Sequence, residues 1–234
     1  MTPFIRLVNV SKSFGTRTAL DGVHLDLARG ECLGVTGGNG CGATTLLLVM
    51  AALLAPTSGR IEVDGLDAST NLWAVRRRLA YAGGATPRAD RGTVGQYIAL
   101  VRENRRSVAR VPVPEADALL RRAGLDPELP MAALSTGAAR RAANVAAIAT
   151  GADLLLIDRP FDGLDERGRD TFLSWFQELR SAATTIVLAT GSEREAQSLG
   201  ARTVTLDRGR VVADRTAGGL DTWSSGMRGA VGAQ

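Results

Sequence analysis

The chain has 234 residues, 45% hydrophobic and 22% charged, enough for one large domain or two small ones around an ordinary core. Its longest apolar run, 46–55, is about half the ~20 residues a membrane helix needs, and no charged-then-apolar leader precedes it, so a cytosolic chain is expected and a spanning one excluded. The net charge of +4 comes almost wholly from arginine, Lys12 being the only lysine, and doublets such as Arg105-Arg106 and Arg121-Arg122 are scattered as on a solvated surface rather than aligned for nucleic acid.

Residues 4–10, FIRLVNV, and 20–27, LDGVHLDL, alternate apolar and polar positions and predict antiparallel strands with a turn at Gly15. His24, the only histidine, falls on the second strand and reads as a surface residue. The short apolar strand ECLGVTG then runs into the glycine-rich stretch GGNGCGATT, residues 37–45. Cys32 and Cys41, nine positions apart, offer neither metal-ligand spacing nor a disulfide framework. TTLLLVMAALLA has the length and leucine content of a buried helix. A strand, a glycine loop and a helix in that order can wrap phosphate with backbone N–H groups. GRIEVDG (59–65) is a strand bracketed by glycines, and RRRLAYAGG (76–84) reads as a helix end followed by a strand. From 92 to 150 the spacing in VGQYIALV and ADALLRRAGL is helical, with breaks at Pro112, Pro114, Pro127 and Pro130, which predicts an inserted helical subdomain. Alternation resumes with the strand DLLLID, a helix through RDTFLSWFQELR, the strand TTIVLAT, a helix near 193–199 and the strands RTVTLD and RVVAD. Beyond Thr216 the glycine- and serine-rich segment around Trp223 predicts a loose tail.

Over roughly residues 4–215 these segments resemble the nucleotide-binding subunit of an ATP-binding cassette (ABC) transporter. Phe14 matches the aromatic that in the family stacks on adenine, GGNGCGATT the Walker A loop, and LSTGAARR (134–141) the signature. LLLIDRPFDGLD (154–165) matches Walker B and the D-loop, LATGSEREA (188–196) the switch region, and VTLDRGRVV the last hairpin. The length, RRRLAYAGG and TVGQYIALV are most similar to ATPases of bacterial exporters whose permease is a separate chain. The implied fold is α/β: a P-loop NTPase (RecA-like) core with an N-terminal antiparallel β-subdomain and an inserted helical subdomain. The implied domain covers 1–217, with its core at 1–84 and 150–217, the helical subdomain at 85–149, and a flexible tail over 218–234.

The resemblance assigns nucleotide contacts to Phe14, Gly37, Asn39, Gly40, Gly42, Thr44, Thr45 and Asp158, and Mg²⁺ to Thr44 and Asp158. It also exposes four departures. The Walker A lysine is Ala43, the glutamine after the Y-x-x strand is Gly84, the Walker B glutamate is Arg159, and the switch histidine is Gly191. A charge-assisted hydrogen bond contributes roughly 1.5–3 kcal/mol, so loss of the lysine lowers ATP affinity by at least about tenfold. ATP and Mg²⁺ are therefore expected to bind weakly or not at all, and a glycine turn without ligand is the plain alternative. A guanidinium cannot take a proton from water, and loss of a general base costs ~10²–10⁴ in rate. Arg159 either reaches toward the γ-phosphate or the absent lysine's place, or pairs with Asp158 or another nearby carboxylate. Scaffold kept and reactive groups lost together imply a pseudo-ATPase; a weakly active ATPase that still drives export is the alternative.

In the family the signature of one subunit closes over ATP held by its partner. Ser135, Thr136 and Gly137 are the residues implied for that role, with Asp165 as the D-loop dimer residue. Thr136 adds bulk where backbone otherwise approaches the nucleotide. A homodimer would hold two dead sites, so the expected partners are an active ABC ATPase paralogue and an integral-membrane permease. The expected location is peripheral, on the inner face of the plasma membrane. Nucleic acid is not an expected partner, because no second cassette, long coiled-coil insert or aromatic platform accompanies the arginines.

Overall fold

The computed structural model describes residues 2–83, 92–104 and 115–217. Gly84, Arg105, Arg106, Pro112, Pro114 and the expected tail over 218–234 lie outside the described residues.

Strands β1 (Ile5–Phe14) and β2 (Arg17–Leu27) pair antiparallel, with Phe14 opposite Arg17 at the end of the hairpin and Gly15 at a φ of 58° in its turn. Strand β3 (Cys32–Gly37) and helix α1 (Ala43–Met50) flank the glycine loop. β4 (Ser58–Val63) and β5 (Leu66–Asp67) return to β1 and complete a four-stranded antiparallel sheet ordered β2-β1-β4-β5. Helix α2 (Leu72–Arg76) and strand β6 (Leu79–Ala82) follow. The helical stretch supplies α3 (Val94–Glu103), α4 (Ala116–Arg122), a 3₁₀ turn at Met131–Ala133 and α5 (Thr136–Ile148). α3 opens with a capping box between Thr93 and Gln96. The chain then alternates: β7 (Leu154–Asp158), α6 (Glu166–Ser181), β8 (Thr185–Ala189), α7 (Glu193–Ser198), β9 (Arg202–Asp207) and β10 (Arg210–Arg215).

The second sheet is ordered β10-β9-β3-β8-β7-β6, parallel throughout except for the edge strand β10. Its central strands are buried along their whole length, as strands covered on both faces must be. Their period of two divides the interior. Leu155 and Ile157 face one core with α3, α4, α5 and α6, whereas Leu154 and Leu156 face a second core with α1 and the antiparallel sheet. Ligands of such sheets bind where the parallel strands end, here at the carboxyl ends of β3, β7 and β8.

One expected element is shorter than its pattern predicts. TTLLLVMAALLA does not continue as helix to its end: α1 stops at Met50. The Ala52 N–H donates to the Val49 carbonyl at 3.0 Å and the Leu53 N–H to the Leu48 carbonyl at 3.0 Å, with Ala52 left-handed at a φ of 53°. That is a Schellman stop built without glycine, which apolar periodicity cannot signal.

Candidate functional site

The loop after β3 is shaped by close approaches. A side chain on Gly37 would meet Cys41 Sγ at 2.7 Å, and one on Gly42 would run into the Ala19 carbonyl. Gly42, at a φ of 108°, is the N-cap of α1 and provides no side-chain cap. The first helical bond runs from the Leu46 N–H to the Gly42 carbonyl at 2.8 Å, so the N–H groups at the start of α1 point out of the helix unpaired by it. Those N–H groups and the helix's positive end face a cavity of about 300 Å³.

Of the sequence-predicted residues, Gly37, Asn39, Gly40, Gly42, Ala43, Thr44, Thr45, Asp158, Arg159 and Gly191 all line this cavity. Thr44 Oγ1 donates to Asp158 Oδ2 at 2.8 Å, linking the start of α1 to the end of β7. Asp158 is only 7% exposed, and its Oδ1 is buried without a hydrogen-bond partner. A hydroxyl and a carboxylate with an unused buried oxygen form the hard, oxygen-only donor set that Mg²⁺ accepts alongside waters and phosphate oxygens. Thr44 and Asp158 are the residues that would hold the ion; bound there, it would neutralise phosphate charge. Among the described residues no group of three or more histidine, cysteine or acidic side chains offers an all-protein metal site.

Arg159 is left-handed, at a φ of 53°, and its N–H donates to the Ala189 carbonyl at 2.8 Å. Its guanidinium reaches over the loop: Nη2 donates to Asn39 Oδ1 at 3.4 Å and Nη1 lies 3.7 Å from Asp162 Oδ2. The carboxylate it pairs with is thus Asp162 rather than Asp158. At Gly191 an added Cβ would meet nothing within 4 Å, so the space where the resemblance places a histidine is open. Neighbouring Thr190 hydrogen-bonds Glu195, which Arg169 holds by an ion pair at 3.0 Å.

Beneath Asp158 lies a second group of polar atoms. Tyr81 Oη is buried without a partner, and its hydroxyl is pushed up to about 12 by burial and by the Asp158 carboxylate, against which Arg140 acts. It is therefore a neutral O–H at physiological pH. Arg140 Nη1 donates to the carbonyls of Asp158 at 3.4 Å and Arg159 at 3.1 Å, which ties α5 to the end of β7.

The other predicted residues stand elsewhere. Phe14 is half exposed at the hairpin end, with Lys12 Nζ 5.2 Å from its ring centroid, and is not among the cavity's lining residues. Ser135 caps α5, its side chain accepting from the Ala138 N–H at 3.2 Å, and Thr136 is exposed beside it. Gly137 packs where an added Cβ would come within 2.6 Å of the Gly163 carbonyl. Asp165 caps α6, accepting from the Gly168 N–H at 2.8 Å. His24 is exposed, and both cysteines are buried and free. Seven lining residues are given no site role by sequence reasoning: Arg17, Ala19, Asp162, Gly38, Cys41, Ala189 and Thr190, the last four within the quoted loop and switch motifs. Nothing local marks the first two, because the fold brings β2 to the loop; Asp162 lay inside a quoted motif but at a position given no role.

A glycine loop between a parallel strand and a helix, faced by a strand-end aspartate on the loop's threonine, defines a P-loop nucleotide-binding protein. Residues 20–162 match the family model described as ABC transporter. The chain is 36% identical over 226 residues to the daunorubicin resistance ATP-binding protein DrrA3 of Streptomyces coeruleorubidus, covering 96% of this chain and 72% of that protein. It is 35% identical over 210 residues to the daunorubicin/doxorubicin resistance ATP-binding protein DrrA of Streptomyces peucetius, covering 88% of this chain and 63% of the relative. The sulfate/thiosulfate import ATP-binding protein CysA of Gloeobacter violaceus is 32% identical over 211 residues, with 88% and 61% covered. A dimeric bacterial ABC transporter cassette shares the fold at a TM-score of 0.81 with 22% identity, covering 92% of this chain and 100% of that one. The chain belongs to the ATP-binding domains of the ABC transporter family.

Proposed function

We propose that this chain is a non-hydrolysing ATP-binding subunit of an ABC transporter. In this reading it is the structural and regulatory partner of a second, active ABC ATPase on a membrane permease, at the inner face of the plasma membrane. The observation that carries it is the chemistry of the cavity wall, where Arg159 and open space at Gly191 occupy the positions at which the resemblance puts a proton acceptor and its orienting partner. The phosphate-facing N–H groups and the Thr44–Asp158 pair persist, so the cradle still offers nucleotide a place. Arg159, resting on Asn39, supplies part of the charge that Ala43 lacks. The relatives named for resistance and for import leave the direction and cargo of transport open. Among the described residues no helix is long and apolar enough to cross a membrane, in keeping with a permease on another chain.

Phosphate release by the purified chain, compared with Asp158→Asn, tests the proposal. Release no greater than that of the variant is expected; turnover that Asp158→Asn abolishes would overturn it. One observation favours a second reading, a slow ATPase: Asp162 places a carboxylate in the cavity wall. Turnover lost on Asp162→Asn would select that reading.

A further inference from the structure

A second cation stands at the phosphate loop, outside every nucleotide-binding motif. Arg17 opens β2, and the strand's period of two puts it on the same face as Ala19; both line the cavity. Their position is fixed by contacts of the backbone. The Ala19 carbonyl fills the space beside Gly42, the Asp21 N–H donates to the Gly209 carbonyl at 3.0 Å, and the Gly209 N–H donates to the Cys41 carbonyl at 2.8 Å. These links join β2, the turn between β9 and β10, and the loop. As a result Arg17 Nη2 lies 3.5 Å from the point where a side chain on Gly40 would begin. Arg159 is engaged by Asn39 and Asp162, whereas Arg17 has no ion pair or hydrogen bond among the described residues. A guanidinium without a partner among the described residues, the outward N–H groups of α1 and a nearby second arginine favour an anion between them. The buried, unpartnered Asp158 Oδ1 in the same wall requires a cation or a donor to accompany that anion.

We propose that Arg17 is the principal phosphate-binding cation of this chain, supplying from β2 the charge absent at position 43, and that its ligand is the polyphosphate tail of a nucleotide. The proposal rests on the reading of the loop as a surviving nucleotide cradle. A guanidinium presents a planar fork of parallel N–H donors to a phosphate, a geometry that a lysine's ammonium does not have. The grip therefore comes from beside the loop instead of from the first turn of α1.

The test is titration of the full chain with a fluorescent N-methylanthraniloyl-ATP in the presence of Mg²⁺, with inorganic tripolyphosphate as competitor. Arg17→Ala should weaken both ligands by the same factor, about tenfold to a hundredfold, because the contact is to phosphate alone. Arg17→Lys should recover part of the loss. Arg6→Ala, which removes an exposed arginine of β1 paired with Asp26, should bind as the unaltered protein does. Arg17 is exposed, so its variants should melt with the parent when no ligand is present; if Arg17→Ala melts early, Arg17→Gln takes its place. Equal affinity of the parent and the Arg17 variants would overturn the proposal and leave the non-hydrolysing reading standing. So would a parent that binds neither probe. Phosphate release by the parent would instead overturn the non-hydrolysing reading without touching the role of Arg17.

Discussion

Thr44 and Asp158 make the only side-chain hydrogen bond that joins the loop helix to strand β7 among the described residues. The bond satisfies one oxygen of a carboxylate whose other oxygen already lacks a partner. Thr44→Val keeps the shape and removes the donor, leaving Asp158 with both oxygens unsatisfied. An orphaned buried acceptor costs about 1–3 kcal/mol, so the urea midpoint should fall by that equivalent with an unchanged slope. The same residue carries the metal expectation. Mg²⁺ with nucleotide should raise the parent's melting temperature by more than that of Thr44→Val, since the variant loses one of the two groups that would hold the ion while the rest of the cradle stays.

At the scale of elements, the parallel sheet sets a titration that the site does not. Cys32 begins β3, and burial pushes its thiol up to about 11 from an ordinary 9.0, with the Arg180 guanidinium pulling down and the Glu31 carboxylate pushing up. Below pH 9 the thiol is neutral in both folded and unfolded chains and stability is unaffected. Above pH 9 the unfolded thiol ionises first, so the unfolded chain gains and stability falls by about 1.4 kcal/mol per pH unit until pH 11. Denaturant unfolding from pH 8 to 11 should show this slope, and Cys32→Ala should remove that share of it. Tyr81, raised to about 12 at the end of β6, adds a second decline above pH 10. The strands that produce these effects were legible from the sequence because a strand covered on both faces leaves an unbroken apolar run, as in LLLID and TIVLA. The glycine loop was legible because its backbone requirements are local. The end of α1 was not, since Ala52 adopts a left-handed conformation that residue identity does not announce. Arg17 was not legible either: its place at the loop depends on bonds from β2 to Gly209 and from Gly209 to Cys41, which no local pattern records.

Across the whole molecule, the six-stranded sheet separates two cores, and the cavity lies where the strand ends gather groups from both sides. Helix α5 belongs to one core yet reaches the cavity's edge: Arg140 bonds the carbonyls of Asp158 and Arg159, and Asn144 Nδ2 donates to the Pro160 carbonyl at 3.1 Å. The cap residue Ser135 and the first helical residue Thr136 are exposed while Gly137 rests against Gly163, so the start of the helix and the loop before α6 present one continuous surface. In the proposed heterodimer that surface faces the nucleotide of an active partner, and this chain contributes position instead of a proton acceptor. The two sites of such a complex should then respond unequally. Asp158→Asn in this chain should leave phosphate release by the purified complex largely intact, whereas removing the partner's proton acceptor should lower it by about 10²–10⁴. Replacing Ser135 and Thr136 together by bulky residues should reduce release at the partner's site while this chain's own binding of the fluorescent nucleotide stays unchanged, because neither residue lines its cavity. Equal losses from Asp158→Asn here and from the partner's substitution would mean that both sites turn over, and the asymmetric assembly would have to be abandoned.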